Sequence, residues 1–163
     1  LWGVIHGCHV FAPLLRANGR GGIINVASTA SFSAAPLMGP YNVSKAGALA
    51  RSETLAAEMG GTGVSVTALC PTLVKTNINA NGRIRGESSS LLDRLMDRFG
   101  MAPERVIRDA LAALDRGELY VMPQADAKLI WLAKRWSPRV YARGTALVNR
   151  YYASRRLTAA SAD

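Results

Sequence analysis

Tyr41 and Lys45 stand four residues apart in the stretch Tyr41-Asn42-Val43-Ser44-Lys45. On a helix, residues at that spacing share a face. An ammonium beside a phenol favours the phenolate, which brings a tyrosine within reach of proton transfer near neutral pH. Ser28 lies thirteen residues before Tyr41, immediately after a short apolar run. A hydroxyl there can hydrogen-bond a substrate oxygen and stabilise charge developing on it. A Tyr-x-x-x-Lys pair alone is common on exposed helices, and a loop serine often only caps backbone groups.

The elements around these residues supply the positioning. Residues 1–17 read as a helix, with Val4, Ile5, Val10, Phe11, Leu14 and Leu15 near one face. It breaks at Asn18-Gly19-Arg20-Gly21-Gly22. Ile23-Ile24-Asn25-Val26-Ala27 has the length and β-branched content of a buried parallel strand. Residues 28–40 read as a loop, 41–59 as a helix closed by Gly60-Gly61, and 64–69 as a second strand ending at Cys70-Pro71. Residues 72–86 are irregular and polar. A helix is expected over 91–99, another from Pro103 to about Gly117, and a short strand over 119–122. Two basic helices, 125–136 and 138–152, follow. Strands alternating with helices predict an α/β fold: a partial doubly wound, Rossmann-type parallel sheet with helices on both faces. Such sheets bind ligands beyond the carboxyl ends of their strands, where Ser28 and residues 71–76 fall. The chain divides into 1–123, part of a dehydrogenase-type domain, and a basic helical extension, 124–163.

Three segments in register carry a resemblance. Ile23-Ile24-Asn25-Val26-Ala27-Ser28, Tyr41-Asn42-Val43-Ser44-Lys45 and Cys70-Pro71-Thr72-Leu73-Val74-Lys75-Thr76 are similar in order and spacing to the short-chain dehydrogenase/reductase family, over roughly residues 1–80. The resemblance implies NAD(P)-dependent hydride transfer between a nicotinamide cofactor and an alcohol or ketone. It places the catalytic roles on Ser28, Tyr41 and Lys45. Ser28 would orient the substrate oxygen, and Tyr41 would transfer the proton. Lys45 would favour the tyrosinate and hold the nicotinamide ribose. Cofactor contacts fall on Tyr41, Lys45, Pro71, Val74 and Thr76. Thr72 stands where the family has glycine, so a backbone shape open only to glycine would be strained there. The family's Gly-rich phosphate-binding turn is not in this sequence, since Gly19, Gly21 and Gly22 precede a strand instead of following one. A fourth family residue, an Asn, would precede Leu1. Both points lead to the expectation that the cofactor-binding N-terminal half is missing, which leaves the choice between NAD and NADP open.

Composition bounds the alternatives. The 163 residues are 49% apolar, with 15 Gly and 7 Pro, ordinary for a soluble domain with its own core. No stretch approaches the ~20 apolar residues of a membrane span. Cys8 and Cys70 sit among apolar residues and read as small buried hydrophobes in a reducing, cytoplasmic setting. His6 and Cys8 do not share a helix face, so a structural reading of His6, Cys8 and His9 is preferred and no metal site is expected. Asn42-Val43-Ser44 matches a glycosylation sequon, but it falls inside the catalytic motif. The net charge is +9, and residues 128–156 hold eight Lys/Arg and no acid. That block, with Trp131 and Trp136, reads as a solvated face, a packing surface for the domain or a second subunit, or a weak membrane-surface contact. Phe32, Leu37 and Met38 in the loop hint at a hydrophobic small-molecule substrate. A homo-oligomer with no nucleic-acid partner is expected. Two alternatives to an enzyme remain: a truncated, inactive fragment, or a basic membrane-surface module.

Overall fold

The glycines that end the first helix also begin the first strand. In the computed structural model, which describes residues 1–76 and 88–160 and the side chains of 1–76 and 94–151, helix α1 spans Trp2–Asn18 and stops at Gly19 in the left-handed region (φ 65°). Strand β1 is Gly21–Val26. The 28–40 segment contains one short helix, α2 (Ala30–Ser33). Helix α3 is Gly39–Glu58 and strand β2 is Val64–Leu69. Helices α4 (Ser88–Phe99) and α5 (Pro103–Asp115), strand β3 (Tyr120–Val121), and helices α6 (Ala125–Trp136) and α7 (Pro138–Ala160) follow. Most of the irregular stretch expected over 72–86 lies outside the described residues.

The sheet is parallel, in the order β1-β2-β3. Gly21 faces Val64 and the register continues to Val26 opposite Leu69, while Ala68 faces Tyr120. The central strand is buried almost throughout, because it is covered on both faces. Val64 and Val66 pack against Cys8 and Ala12 of α1 and Leu55 of α3, whereas Leu69 packs against Val106, Ala110 and Ala113 of α5. This alternation is the doubly wound, Rossmann-type arrangement expected from the sequence.

The face that α1 buries differs from the one its apolar residues implied. Cys8 and Ala12 are buried, with Val4 and Leu15 beside them, while Val10, Phe11 and Leu14 are more than half exposed. Small residues let the helix lie close to the sheet, and the larger ones fall on the outer side. Asn25 satisfies its buried amide there by donating to Ser52 Oγ (3.0 Å) and to Cys8 Sγ (3.5 Å). Cys8 is therefore a core residue, and the described residues contain no cluster of metal-binding side chains.

The turn before β2 depends on Gly63. Its φ is 77°, and an added Cβ would fall on the carbonyl oxygen of Gly19, where the chain leaves α1. Gly61 has a similar φ of 75° but open space around it. Gly63→Ala is expected to cost roughly 2–4 kcal/mol, a drop in Tm of about 5–15 °C. Gly61→Ala carries only the backbone strain. Equal melting temperatures for the two variants would show that the Gly19 contact is not tight.

Candidate active site

Ser28 and the Pro71 turn meet at the carboxyl ends of β1 and β2. Ser28 is buried, and its hydroxyl donates to Pro71 O (3.5 Å) and accepts the Ala30 N–H (3.2 Å). The Thr29 N–H donates to the same Pro71 carbonyl at 2.9 Å. Ser31 joins this loop to α3: its hydroxyl accepts the Ser28 N–H (3.3 Å) and donates to Lys45 O (2.8 Å). Ser31 had no signal in the sequence beyond its place one helical turn after Ser28.

Tyr41 and Lys45 lie one turn apart near the start of α3. The ammonium of Lys45 sits 5.8 Å from the centroid of the Tyr41 ring and donates to Val26 O (2.9 Å), at the end of β1. Partial burial pushes the Lys45 ammonium below its ordinary pKa, and the nearby Cys70 opposes that shift weakly. Tyr41 is 40% exposed, and no described residue hydrogen-bonds its hydroxyl.

The turn after β2 is held by side chains from the far end of the chain. Thr72 is not among the residues with positive φ, so the strain expected of a residue replacing glycine is absent. Its hydroxyl donates to Asp126 Oδ1 (3.0 Å), and so it accepts from Thr29 Oγ1 (3.2 Å). Gln124 clips the same turn from both sides, accepting from Thr72 N–H (3.1 Å) and donating to Leu73 O (2.8 Å). Val74 pairs with Met101 in an isolated bridge, and Thr76 is exposed. Of the predicted cofactor contacts, Pro71 adjoins Ser28, whereas Val74 packs toward α5.

The C-terminal helices also hold α2. Lys134 Nζ donates to Phe32 O (2.5 Å) and the Tyr141 hydroxyl to Ser33 O (2.9 Å). These are carbonyls that a short helix leaves unpaired at its end, just before Ala34 turns left-handed (φ 52°). Phe32 itself is buried in a cluster with Ala27, Ala48, Cys70 and Ala127. It therefore belongs to the core below the site, whereas Leu37 and Met38, the loop's other large apolar residues, are exposed. No local pattern could reveal Gln124, Asp126, Lys134 or Tyr141, since each acts across 50 residues or more.

Residues 1–85, which contain Ser28, Tyr41, Lys45 and the Pro71 turn, match the short chain dehydrogenase family. The chain belongs to that family. A short chain dehydrogenase/reductase from Burkholderia phymatum in complex with NAD aligns over 86% of this chain, with a TM-score of 0.72 and 26% identity. A short chain dehydrogenase from Burkholderia cenocepacia in complex with NADP aligns over 88%, with a TM-score of 0.69 and 27% identity. The 2-(R)-hydroxypropyl-CoM dehydrogenase of Xanthobacter autotrophicus is 29% identical over 113 residues, 69% of this chain. The chain spans 56% of each of those solved structures and 43% of that dehydrogenase.

Cys70, another residue of the site, is a fully buried free thiol. Burial pushes its pKa up to about 11, against a smaller opposing contribution from the Ser28 backbone N–H. A thiol whose folded pKa lies above the ordinary 9.0 stabilises the fold fully below pH 9.0. That contribution is lost as pH rises toward 11, by roughly 2–3 kcal/mol over the window. Cys70→Ala should remove this slope while the wild type keeps it. Urea melts at neutral pH and at about pH 11 test it, and parallel slopes for the two proteins would contradict it. The lowered pKa of Lys45 works in the opposite direction but is common to both.

Proposed function

We propose that this chain carries the proton-transfer half of a longer NAD(P)-dependent oxidoreductase that interconverts an alcohol and a ketone, with Ser28, Tyr41 and Lys45 as catalytic residues. The observation that carries the reading is the Lys45 ammonium beside the Tyr41 ring, on a helix tied by Ser31 to the Ser28 loop. The donor set suits the nicotinamide-ribose end of a dinucleotide, with Tyr41, Lys45, Pro71, Val74 and Thr76 as its contacts. No Gly-rich turn for the pyrophosphate lies in the sequence, so that end belongs to the part of the protein outside this chain.

In the oxidative direction, the Tyr41 oxygen accepts the proton of the substrate hydroxyl. The Ser28 hydroxyl, turned away from its long 3.5 Å contact with Pro71 O, donates a hydrogen bond to the same substrate oxygen and fixes its position. The Lys45 ammonium favours the anionic phenol electrostatically, and its bond to the Val26 carbonyl keeps it directed at the site. The bound nicotinamide supplies the hydride acceptor. In reduction the proton returns from Tyr41 to the carbonyl oxygen.

The exposed Leu37 and Met38 near Tyr41 favour a hydrophobic substrate. The exposed Val10, Phe11 and Leu14 of α1 favour a homo-oligomer. Two free thiols suit a reducing, cytoplasmic setting. The Xanthobacter relative, named as a dehydrogenase of a hydroxypropyl compound, supports an alcohol as substrate class. The test is turnover by the complete protein of apolar secondary alcohols and ketones with each dinucleotide, followed by nicotinamide absorbance. Dinucleotide binding without turnover of any member of either class would overturn the reading.

A further inference from the structure

Helices α6 and α7 each turn an apolar stripe to solvent. On α6 it is Leu129, Leu132 and Trp136, spaced i, i+3, i+7, with exposures of 66, 41 and 86%. On α7 it is Val140 and Leu147, spaced i, i+7, with exposures of 65 and 63%. Cations flank both stripes. Lys128 and Arg135 adjoin the first, and Arg139, Arg143 and Arg150, spaced i, i+4, i+11, run beside the second. All five are exposed, Arg135 while lying over the Trp131 ring at 4.6 Å, and the salt bridges of the described residues lie elsewhere, at Arg51–Glu58 and Arg116–Glu118. The opposite sides of these helices are already occupied. Ala127 is fully buried, Ile130 and Trp131 pack on the core, and Lys134 and Tyr141 bind α2.

We infer that the outer side of α6 and α7 is a docking surface for an anionic lipid bilayer. Charge complementarity selects this occupant. Residues 128–151 carry six Lys/Arg, five of them exposed, and no acid, so a second copy seated on the same face in two-fold symmetry would set cation against cation. A nucleic acid would satisfy the cations but leave Trp136 and the leucines against phosphate and water. A bilayer interface supplies both partners, an acyl boundary for the stripes and anionic headgroups for the flanking Arg and Lys. No described helix is long and apolar enough to cross the membrane, so docking is in-plane.

The experiment is co-sedimentation of the complete protein with vesicles of phosphatidylcholine alone and of equimolar phosphatidylcholine and phosphatidylserine, at low and high salt. Binding is expected to the anionic vesicles and to weaken with salt. Arg139→Gln/Arg143→Gln/Arg150→Gln should lower that affinity about 100-fold. Leu129→Ser/Trp136→Ser should also lose binding, although its charge is unchanged. These side chains are exposed, so both variants should melt like wild type. Equal binding to the two vesicle types, or none to either, overturns the inference. So does tight binding to duplex DNA without vesicle binding. So does a dimer that Trp136→Ser abolishes in a protein that ignores vesicles.

Discussion

Tyr41→Phe, made in the complete protein, is expected to lower kcat by about 10²–10⁴-fold, the usual loss when a general acid–base group is removed. The structure separates this from a folding defect. Tyr41 is 40% exposed, and its hydroxyl makes no hydrogen bond with the described residues, so its removal should leave Tm nearly unchanged. The ring that sits beside Lys45 is kept in phenylalanine, so local packing is preserved. Ser28→Ala should also be slow, but that hydroxyl is buried and bonded to the loop, so some loss of stability should accompany it. Tyr41→Phe activity within about twofold of wild type would sink the assignment of the proton-transfer role.

Lys45→Met should move the pH–rate profile to higher pH, because it removes the cation beside the Tyr41 ring. It should also weaken dinucleotide binding, because one ammonium serves both purposes. A stability loss near 1 kcal/mol is expected as well, since Val26 O loses its donor. That loss alone would mark a structural residue. The catalytic reading requires the profile to move, and requires Lys45→Arg, which keeps a cation, to move it less than Met does. An unchanged profile with a lowered Tm would reduce Lys45 to a strand-end clamp.

Much of this arrangement was legible along the chain. The alternation of short β-branched runs with longer helical segments predicted a parallel sheet covered on both faces, because periodicity and breakers are local properties. β2, 64–69, has the predicted bounds. The pairing of Tyr41 with Lys45 followed from helical spacing alone, and the position of Ser28 followed from the end of the preceding strand. Local signals failed where tertiary packing chose among equivalent options. The apolar residues of helix α1 read as one face, but contact with the sheet selected Cys8 and Ala12 over Val10, Phe11 and Leu14 because small side chains permit close approach. Phe32 looked like a loop residue facing substrate, but α6 closes over it and makes it core.

The residues that brace the site were invisible in sequence for a related reason. Gln124 and Asp126 reach the Pro71 turn, and Lys134 and Tyr141 reach α2, through contacts between segments 50 to more than 100 residues apart. A hydrogen bond across such a distance leaves no trace in spacing. It exists only because the sheet brings the ends of β1 and β2 together and α6 passes beside both. The sequence by itself determined the chemistry available, a hydroxyl, a phenol and an ammonium in register, because strand ends and helical turns set those intervals. The tertiary structure decided which side chains hold that chemistry in place, because only packing establishes what lies beside what.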